Sequence, residues 1–285
     1  MSTADALDQS WARVDPAGAA AAGITLIAGY LSRDPSKNWT ADNIRAYHQH
    51  GIGVLLNWES DPAGALLGES AGEADGNDAV ALTNQLMAEV GYRPQSPIAI
   101  VFSCDLDVVP TQFPAIDAYY LQTKTITHTA GLLNGCYGSA SLVSHLHDAG
   151  LTEVEWQTLA WSDGYISPDA GLYQESINNT LDGSSVDLDE IRNLVTIGAW
   201  WPPGSADEAA ANANSHPSTD EDDDDMPYIV YKASAPANAY VVHSGGHGQP
   251  LLDASTTRGY RGGGVKAFPI ADKDWDNTLR AIGVK

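Results

Sequence analysis

The sequence contains few cysteines and few basic residues, and it has no long apolar run. Two cysteines among 285 residues exclude a disulfide scaffold and a cysteine-based zinc site. Fourteen Lys and Arg against 37 Asp and Glu give a net charge of −23, which repels nucleic acid and anionic lipid. No apolar stretch reaches the length of about 18 residues that a membrane span needs. The first residues lack a basic and an apolar region, so no Sec-type signal peptide is predicted.

Signatures of several enzyme classes are also missing. No Gly-rich phosphate-binding fingerprint follows the first strand-like run, and no serine stands in a Gly-x-Ser-x-Gly elbow. His145 and His147 are two apart on a predicted helix and cannot face one metal together. His243 and His247 have no adjacent carboxylate or cysteine partner. The sequence therefore predicts no metal and no organic cofactor.

One short segment concentrates negative charge. Residues 206–225 carry eight acidic and no basic side chains, and no large apolar residue precedes Met226. Such a segment cannot bury enough surface to offset its ordering entropy. It also lacks the spacing of a calcium-binding loop, which is the alternative. We therefore divide the chain into 1–205, a flexible acidic linker at 206–226, and a small β-rich docking domain at 227–285 with a C-terminal helix around Trp275.

Strand-like and helix-like segments alternate ahead of the linker. The strand-like runs are about 6–10, 25–31, 53–59, 98–104, 132–137, 155–160, 171–174 and 185–189. The helices between them cover 40–50, 74–90, 112–130 and 139–149, and the later connections are weak. Eight such units predict an α/β fold, an irregular (β/α)8 barrel of the TIM type. A doubly wound open sheet is the alternative, although it lacks the fingerprint expected after its first strand.

The residues at the strand ends indicate the chemistry, because active sites of parallel barrels collect there. Carboxylates and aromatic rings dominate these positions, and no Lys or Arg appears among them. The candidates are Asp8, Tyr30, Trp58, Glu59, Asp105, Asp107, Tyr137, Trp156, Tyr173, Gln174 and Asp187. Aromatic faces pack on the C–H face of a sugar, and carboxylates accept hydrogen bonds from its hydroxyls. We therefore predict a site for neutral polyhydroxylated substrates.

Two of these carboxylates are predicted to act as a pair. Asp105 and Asp107 are two residues apart on an extended segment, so both should point to one side. Repulsion between close carboxylates raises one pKa and lets one of them stay protonated as a general acid. Asp8, Glu59 and Asp187 would orient water or substrate. The alternative is that Asp105 and Asp107 end the strand as a solvated acidic turn.

Several short motifs occur in the order seen in a known family. They are Asp8-Gln9-Ser10, Asp105-Leu106-Asp107, Trp156-Gln157, Ala160-Trp161-Ser162, Tyr173-Gln174 and Val186-Asp187. This order resembles GH25-type lysozymes (muramidases) and, more closely, the glycoside-hydrolase-like domain of actinobacteria and their phages called DUF1906 or Rv2525c-like. The resemblance covers about residues 4–191. It implies an irregular barrel with a cleft for bacterial cell-wall glycan, of peptidoglycan or arabinogalactan type, and hydrolysis of that glycan.

One position departs from the pattern of the GH25 enzymes. Those enzymes carry Asp-x-Glu on the fourth strand with the Glu as the acid, whereas this chain has Asp107 there. Asp is one methylene shorter, and proton transfer needs hydrogen-bond reach. The site is therefore inactive, acts through a water molecule, or passes the role to Glu59.

The C-terminal residues are similar to small β-rich domains appended to virion proteins of actinobacterial phages. That resemblance implies a phage tail component, located in the virion, which meets other tail proteins through residues 227–285. An alternative of a different class is a catalytically inactive glycan-binding or purely structural tail protein. A homo-oligomer stays open at this point.

Overall fold

The computed structural model describes residues 4–11, 13–194 and 197–208, and four strands between residues 228 and 270. The chain divides into two compact units, Met1–Pro217 and Ser218–Lys285. Most of the segment predicted as a linker lies outside the described residues, as does the helix predicted around Trp275.

The first unit is a closed eight-stranded barrel surrounded by helices. Its strands are β1 (Ala6–Gln9), β2 (Leu26–Leu31), β3 (Gly53–Trp58), β4 (Ala99–Ser103), β5 (Leu133–Gly138), β6 (Val154–Thr158), β7 (Leu172–Leu181) and β8 (Ser184–Ile191). The helices are α1 (Pro16–Ala21), α2 (Ala41–Gln49), α3 (Glu69–Val90), α4 (Phe113–Thr129) and α5 (Ala140–Asp148), with short 3-10 helices at Gly64–Leu67 and Pro110–Gln112. The predicted irregular α/β barrel is confirmed.

The last strand departs from the expected parallel order. Strands β1 to β7 pair in parallel, whereas β8 pairs antiparallel with both β7 and β1. Only Asp182 and Gly183 connect β7 to β8, and both have positive φ. Two residues can join antiparallel strands, but a parallel pair needs a long crossover. The expectation of eight parallel strands is therefore wrong for β8.

Side chains alternate along each strand between two apolar layers. Leu26, Leu55 and Val101 fill the barrel interior, and their chain neighbours Ile27, Leu56 and Phe102 pack against the helices. Polar side chains cap the first turns of α1, α2 and α5. At α2, for example, the Thr40 side chain accepts from the Asn43 N–H and the Asn43 side chain accepts from the Thr40 N–H.

The amino-terminal end of the barrel is closed by the chain that follows β8. Val54 and Trp200 exchange backbone hydrogen bonds of 2.9 and 2.7 Å. Trp201 packs so closely on Gly53 that a Cβ there would lie 2.4 Å from its ring. Ile197, Ala199 and Trp201 complete the interior core. The barrel is consequently accessible from its carboxyl end.

The second unit contains a four-stranded sheet. Its strands are β9 (Tyr228–Lys232), β10 (Ala235–Val242), β11 (Gly248–Pro250) and β12 (Ala267–Ile270), in the order β11-β10-β9-β12. The strand-like runs 228–231 and 239–242 lie within β9 and β10. In the described part of the chain, no helix has the length and apolar character needed to cross a membrane.

Candidate functional site at the barrel mouth

Two carboxylates meet at the carboxyl end of the barrel. Asp8 on β1 and Asp187 on β8 stand directly opposite each other in the antiparallel ladder. The side-chain nitrogen of Gln174, on β7, lies 2.8 Å from Asp8 Oδ2 and 3.3 Å from Asp187 Oδ2, and it donates to both. Three residues predicted at separate strand ends thus form one hydrogen-bonded group, called the acid group below.

Hydroxyl groups fix the orientation of this acid group. Tyr137 Oη and Thr158 Oγ1 donate to Gln174 Oε1 at 3.0 and 2.8 Å. Because two donors hold the amide oxygen, the amide nitrogen faces the carboxylates. Tyr30 Oη donates to Asp8 Oδ1 at 3.2 Å. Tyr30 and Tyr137 therefore act here through their hydroxyls, which orient the acids.

The surroundings of Asp8 bring its pKa close to neutral pH. Burial, followed by the charge of Asp187, raises the pKa of Asp8 to about 7, against the hydrogen bonds from Gln174 and Tyr30. Burial also raises the pKa of Asp187, whose Oδ1 accepts from the Asn178 N–H at 2.7 Å. Near neutral pH Asp8 therefore populates both protonation states, as a proton donor must.

A third carboxyl, which stands at the predicted end of the eighth strand but was not among the candidate site residues, lies deeper in the barrel. Asp189 is fully buried, and its Oδ1 accepts from Trp156 Nε1 at 2.8 Å. Its Oδ2 has no hydrogen-bond partner among the described residues. Burial, followed by the charge of Asp8, raises the pKa of Asp189 well above its usual range. The sequence signal was its place two residues after Asp187, which puts both on one face of β8.

Trp156 forms the floor of the site. Its side chain is fully buried, with the Tyr137 ring packed edge-on at a centroid distance of 4.7 Å. The expectation that a sugar stacks on Trp156 is therefore corrected, because no face of the indole reaches solvent.

Glu59 and Asp105 lie at other positions around the mouth. Glu59 Oε1 is 2.8 Å from Lys37 Nζ. Lys37 belongs to the loop after β2 rather than to a strand end, so the sequence did not predict this cation at the mouth. The same ammonium lies over the rings of Trp11 and Tyr30, at 4.6 and 5.7 Å. Burial, followed by the charges of Glu59 and Asp187, raises the pKa of the half-buried Asp105.

Asp107 stands apart from these acids. It is exposed, and no hydrogen bond or ion pair reaches it within the described ranges. The charges that raise the pKa of Asp105 belong to Glu59 and Asp187. Strand β4 ends at Ser103 and the chain bends at Leu106, so the alternation that should align the two acids no longer applies. No contact between Asp105 and Asp107 is seen among the described residues, and their pairing stays a prediction.

Trp58 and Tyr173 point away from the mouth. Trp58 is buried in the layer between barrel and helices, with the Arg33 guanidinium 5.4 Å from its ring centre. Tyr173 lies between Leu172 and Gln174, whose side chains face the interior, so its own side chain faces outward. The expected sugar contacts of Trp58 and Tyr173 are corrected because both occupy the outward positions of their strands.

A cleft of about 350 Å³ opens onto the acid group. Its lining includes Asp8, Trp11, Tyr30, Asn178 and Asp187. Trp11 is 59 % exposed and presents an indole face beside the two carboxylates. The sequence places Trp11 at the same strand end as Asp8, three residues later, but no binding role was predicted for it.

The described residues contain no group of three or more His, Cys, Asp or Glu side chains arranged to hold a metal ion. Cys104 and Cys136 are both buried and free.

Comparison with known proteins places this barrel among glycoside hydrolase-like domains. Residues 18–194 match the family described as "Rv2525c-like, glycoside hydrolase-like domain". Comparison with curated proteins gives no match.

Two solved structures with a TM-score of 0.60 share the fold. The Tat-secreted protein Rv2525c of Mycobacterium tuberculosis, in complex with L-tartrate, has a TM-score of 0.60 at 22 % identity, over 70 % of this chain and 100 % of that one. The same protein in complex with HEPES has a TM-score of 0.60 at 23 % identity, with the same shares covered. The catalytic domain of endolysin ply40, from bacteriophage P40 of Listeria monocytogenes, has a TM-score of 0.48 at 15 % identity, over 65 % of this chain and 91 % of that one.

Proposed function

The chain belongs to the Rv2525c-like, glycoside hydrolase-like family, and from this premise we propose that it binds bacterial cell-wall polysaccharide and hydrolyses a glycosidic bond in it. The observation that carries the proposal is the acid group at the open mouth. There Asp8, with a pKa of about 7, stands opposite Asp187 and shares Gln174 with it.

Hydrolysis of a glycosidic bond needs a proton donor on the leaving oxygen and a carboxylate that activates water. We assign the donor role to Asp8, because burial and the neighbouring charge of Asp187 keep its proton available near neutral pH. Strand β4 lies opposite β8 in the ring of eight, and Asp105 follows β4 by two residues, near enough to Asp187 for that charge to raise its pKa. We assign Asp105 as the base that takes a proton from water while the water oxygen bonds to the anomeric carbon.

The remaining mouth residues would bind sugar. The exposed indole of Trp11 offers a face for the C–H side of a ring. Glu59, held by Lys37 at 2.8 Å, can accept hydrogen bonds from hydroxyls. This combination suits the neutral sugar rings of a peptidoglycan or arabinogalactan chain.

The test is release of reducing ends from purified cell walls, with peptidoglycan and arabinogalactan preparations assayed separately. We expect Asp8→Asn and Asp105→Asn to lower the rate by about 100-fold or more, the usual range for losing a general acid or base. Asp107→Asn is the matched control, because it makes the same change at an exposed acid two residues from Asp105. Equal rates for wild type and Asp8→Asn would refute the assignment.

A second candidate function is glycan binding without hydrolysis. The absence of any hydrogen bond or ion pair at the exposed Asp107, within the described ranges, favours it, because the family resemblance expects an acid there to take part. In that case walls retain wild type and Asp8→Asn equally, and neither protein releases reducing ends.

The proposal extends to a place in a phage tail, with residues 227–285 as the docking part. If so, mass spectrometry of purified particles detects the chain, and a chain without residues 227–285 is not incorporated. Absence of the full-length chain from the particles would contradict this part of the proposal.

A further inference from the structure

Exposed large hydrophobic side chains gather at one end of the barrel. In the described part of the chain they are Trp11, Leu67, Val109, Leu121, Trp161, Tyr165 and Ile177. All but Leu121, which lies on α4, follow the carboxyl end of a strand or belong to the β7–β8 hairpin. Single exposed apolar residues are ordinary on a protein surface, so the residues that share one loop are the informative ones.

Two of these residues share the loop between β6 and β7. Trp161 is 41 % exposed and Tyr165 is 58 % exposed. The loop starts from Thr158, whose hydroxyl donates to Gln174 Oε1 at 2.8 Å. Trp161 therefore follows, by three residues, a side chain that contacts the central amide of the acid group. Three residues span at most about 11 Å, so the loop stays close to the mouth.

Side chains beneath the loop form hydrogen bonds with its backbone. Ser162 Oγ donates to the Thr158 carbonyl at 2.8 Å and accepts from the Ala140 N–H at 3.0 Å. The buried Gln157 side chain donates to the Tyr165 carbonyl at 2.8 Å and accepts from the Ser167 N–H at 2.7 Å. The exposed rings thus project from a fixed backbone, so ligand binding needs little ordering of the loop.

The backbone at Trp161 adds an independent observation. Its φ is 54°, in the left-handed region that bulky residues rarely adopt. Conformations of this kind persist where the surroundings impose them, and they cluster at ligand sites. Here the imposed conformation leaves an indole ring partly in solvent.

We propose that Trp161 and Tyr165 form a second sugar-binding site, which holds the glycan chain outside the acid cleft. The inference rests on the proposed function, because its ligand is another unit of the same polysaccharide. Residues 159–171 contain two Asp and no Lys or Arg, so an anionic ligand is disfavoured and a neutral sugar fits.

The positions of the two sites define the substrate class. Strands β7 and β8 separate β6 from β1 in the ring. A chain that contacts both Trp11 after β1 and Trp161 after β6 would therefore span the width of the two strands between them. The substrate is consequently an extended polysaccharide of several sugar units rather than a disaccharide.

The test compares ring-removing with ring-retaining variants. Trp161→Ala and Tyr165→Ala remove the rings, whereas Trp161→Tyr and Tyr165→Phe retain them, and both Trp161 variants keep a side chain at the same positive φ. Leu121→Ala changes an exposed apolar residue on α4 as the matched control. Binding of soluble cell-wall glycan fragments of increasing length is measured by titration calorimetry in an Asp8→Asn background, so that the fragments are not consumed.

We expect each ring-removing variant to bind long fragments about tenfold more weakly, the scale of losing an aromatic contact at an interface. Binding of a disaccharide should stay unchanged, and the ring-retaining and Leu121→Ala proteins should bind like the Asp8→Asn parent. In active protein, Trp161→Ala should raise KM for long glycan about tenfold and leave kcat unchanged.

The outcomes separate this inference from the proposed function. If wild type releases no reducing ends but long-fragment binding still depends on Trp161, hydrolysis fails and the second site stands. If all proteins bind long fragments equally, or if disaccharide binding falls as much as long-fragment binding, the second site is overturned while hydrolysis can stand. If no protein binds any fragment, both are overturned.

Discussion

The fold raises the pKa of Asp8, which is the direction that a proton donor needs. Folding raises its pKa from the ordinary 3.8 to about 7, so the folded chain holds this proton more tightly than the unfolded chain. The contribution of this proton to the free energy of unfolding is fully present below the pKa of Asp8 in the unfolded chain. It is lost as the pH rises through about 7, the pKa of Asp8 in the folded chain. Asp8 therefore destabilises the fold at alkaline pH, a cost tolerated at a functional site.

Asp8→Asn should relieve this cost. Asn carries no charge, so its stability should not depend on this titration. As pH rises from about 4 to about 8, the free energy of unfolding of Asp8→Asn should therefore increase relative to that of wild type, by as much as roughly 4 kcal/mol. Urea unfolding at the two pH values measures the difference, with Asp107→Asn as the exposed control. An Asp8→Asn effect that is the same at both pH values would show that Asp8 is not held protonated by the fold.

The sequence predicted single residues better than it predicted their partners. Asp8 and Asp187 were identified by their places at strand ends, because alternation assigns a side chain to a face of its strand. For Asp107 the expected alignment with Asp105 has no support from alternation, because β4 stops at Ser103. Lys37 was missed because it reaches Glu59 from a loop, and no local pattern reports that contact.

At the scale of elements, the contact between α3 and α4 depends on a glycine. Helix α3 begins at Glu69, five residues before the predicted start. Gly72 weakens the local helix signal, but it lets the helix lie against α4, where a Cβ would stand 2.3 Å from the Tyr119 carbonyl oxygen. The close contact with α4 therefore explains why Gly72 stands inside α3, although glycine has a low helix propensity.

Gly72→Ala should destabilise the barrel by about 1–3 kcal/mol, because the backbone of α4 must move to admit a methyl group. Glu73→Ala, on the exposed side of the same helix, should change stability by less than about 0.5 kcal/mol. Urea unfolding of both variants checks the pair. A Gly72→Ala protein as stable as wild type would mean that the two helices can separate at little cost.

At the scale of the whole molecule, alternation of strands and helices was enough to predict the barrel, but not how it closes. The family match ends at residue 194, whereas the residues that seal the amino-terminal end are 197–201. Their sequence has no strand or helix pattern, and their role comes from three interior side chains and an exchange of backbone hydrogen bonds with Val54.

A fragment ending at residue 208 should therefore fold, whereas one ending at residue 194 should not keep a sealed barrel. Without Ile197, Ala199 and Trp201 the interior is open at its base, so we expect a lower Tm and binding of a hydrophobic dye. Thermal unfolding of both fragments measures this difference. Equal Tm values would contradict the assigned role of the segment.

The most direct test of the central claim is mass spectrometry of the soluble products from cell walls treated with wild type, Asp8→Asn and Asp107→Asn. Glycosidic hydrolysis adds one water across the broken bond and creates a new reducing end. We predict such fragments from wild type and from Asp107→Asn, and almost none from Asp8→Asn. Fragments of equal abundance from Asp8→Asn, or walls left intact by wild type, would contradict the assignment of the acid group as a glycosidase centre.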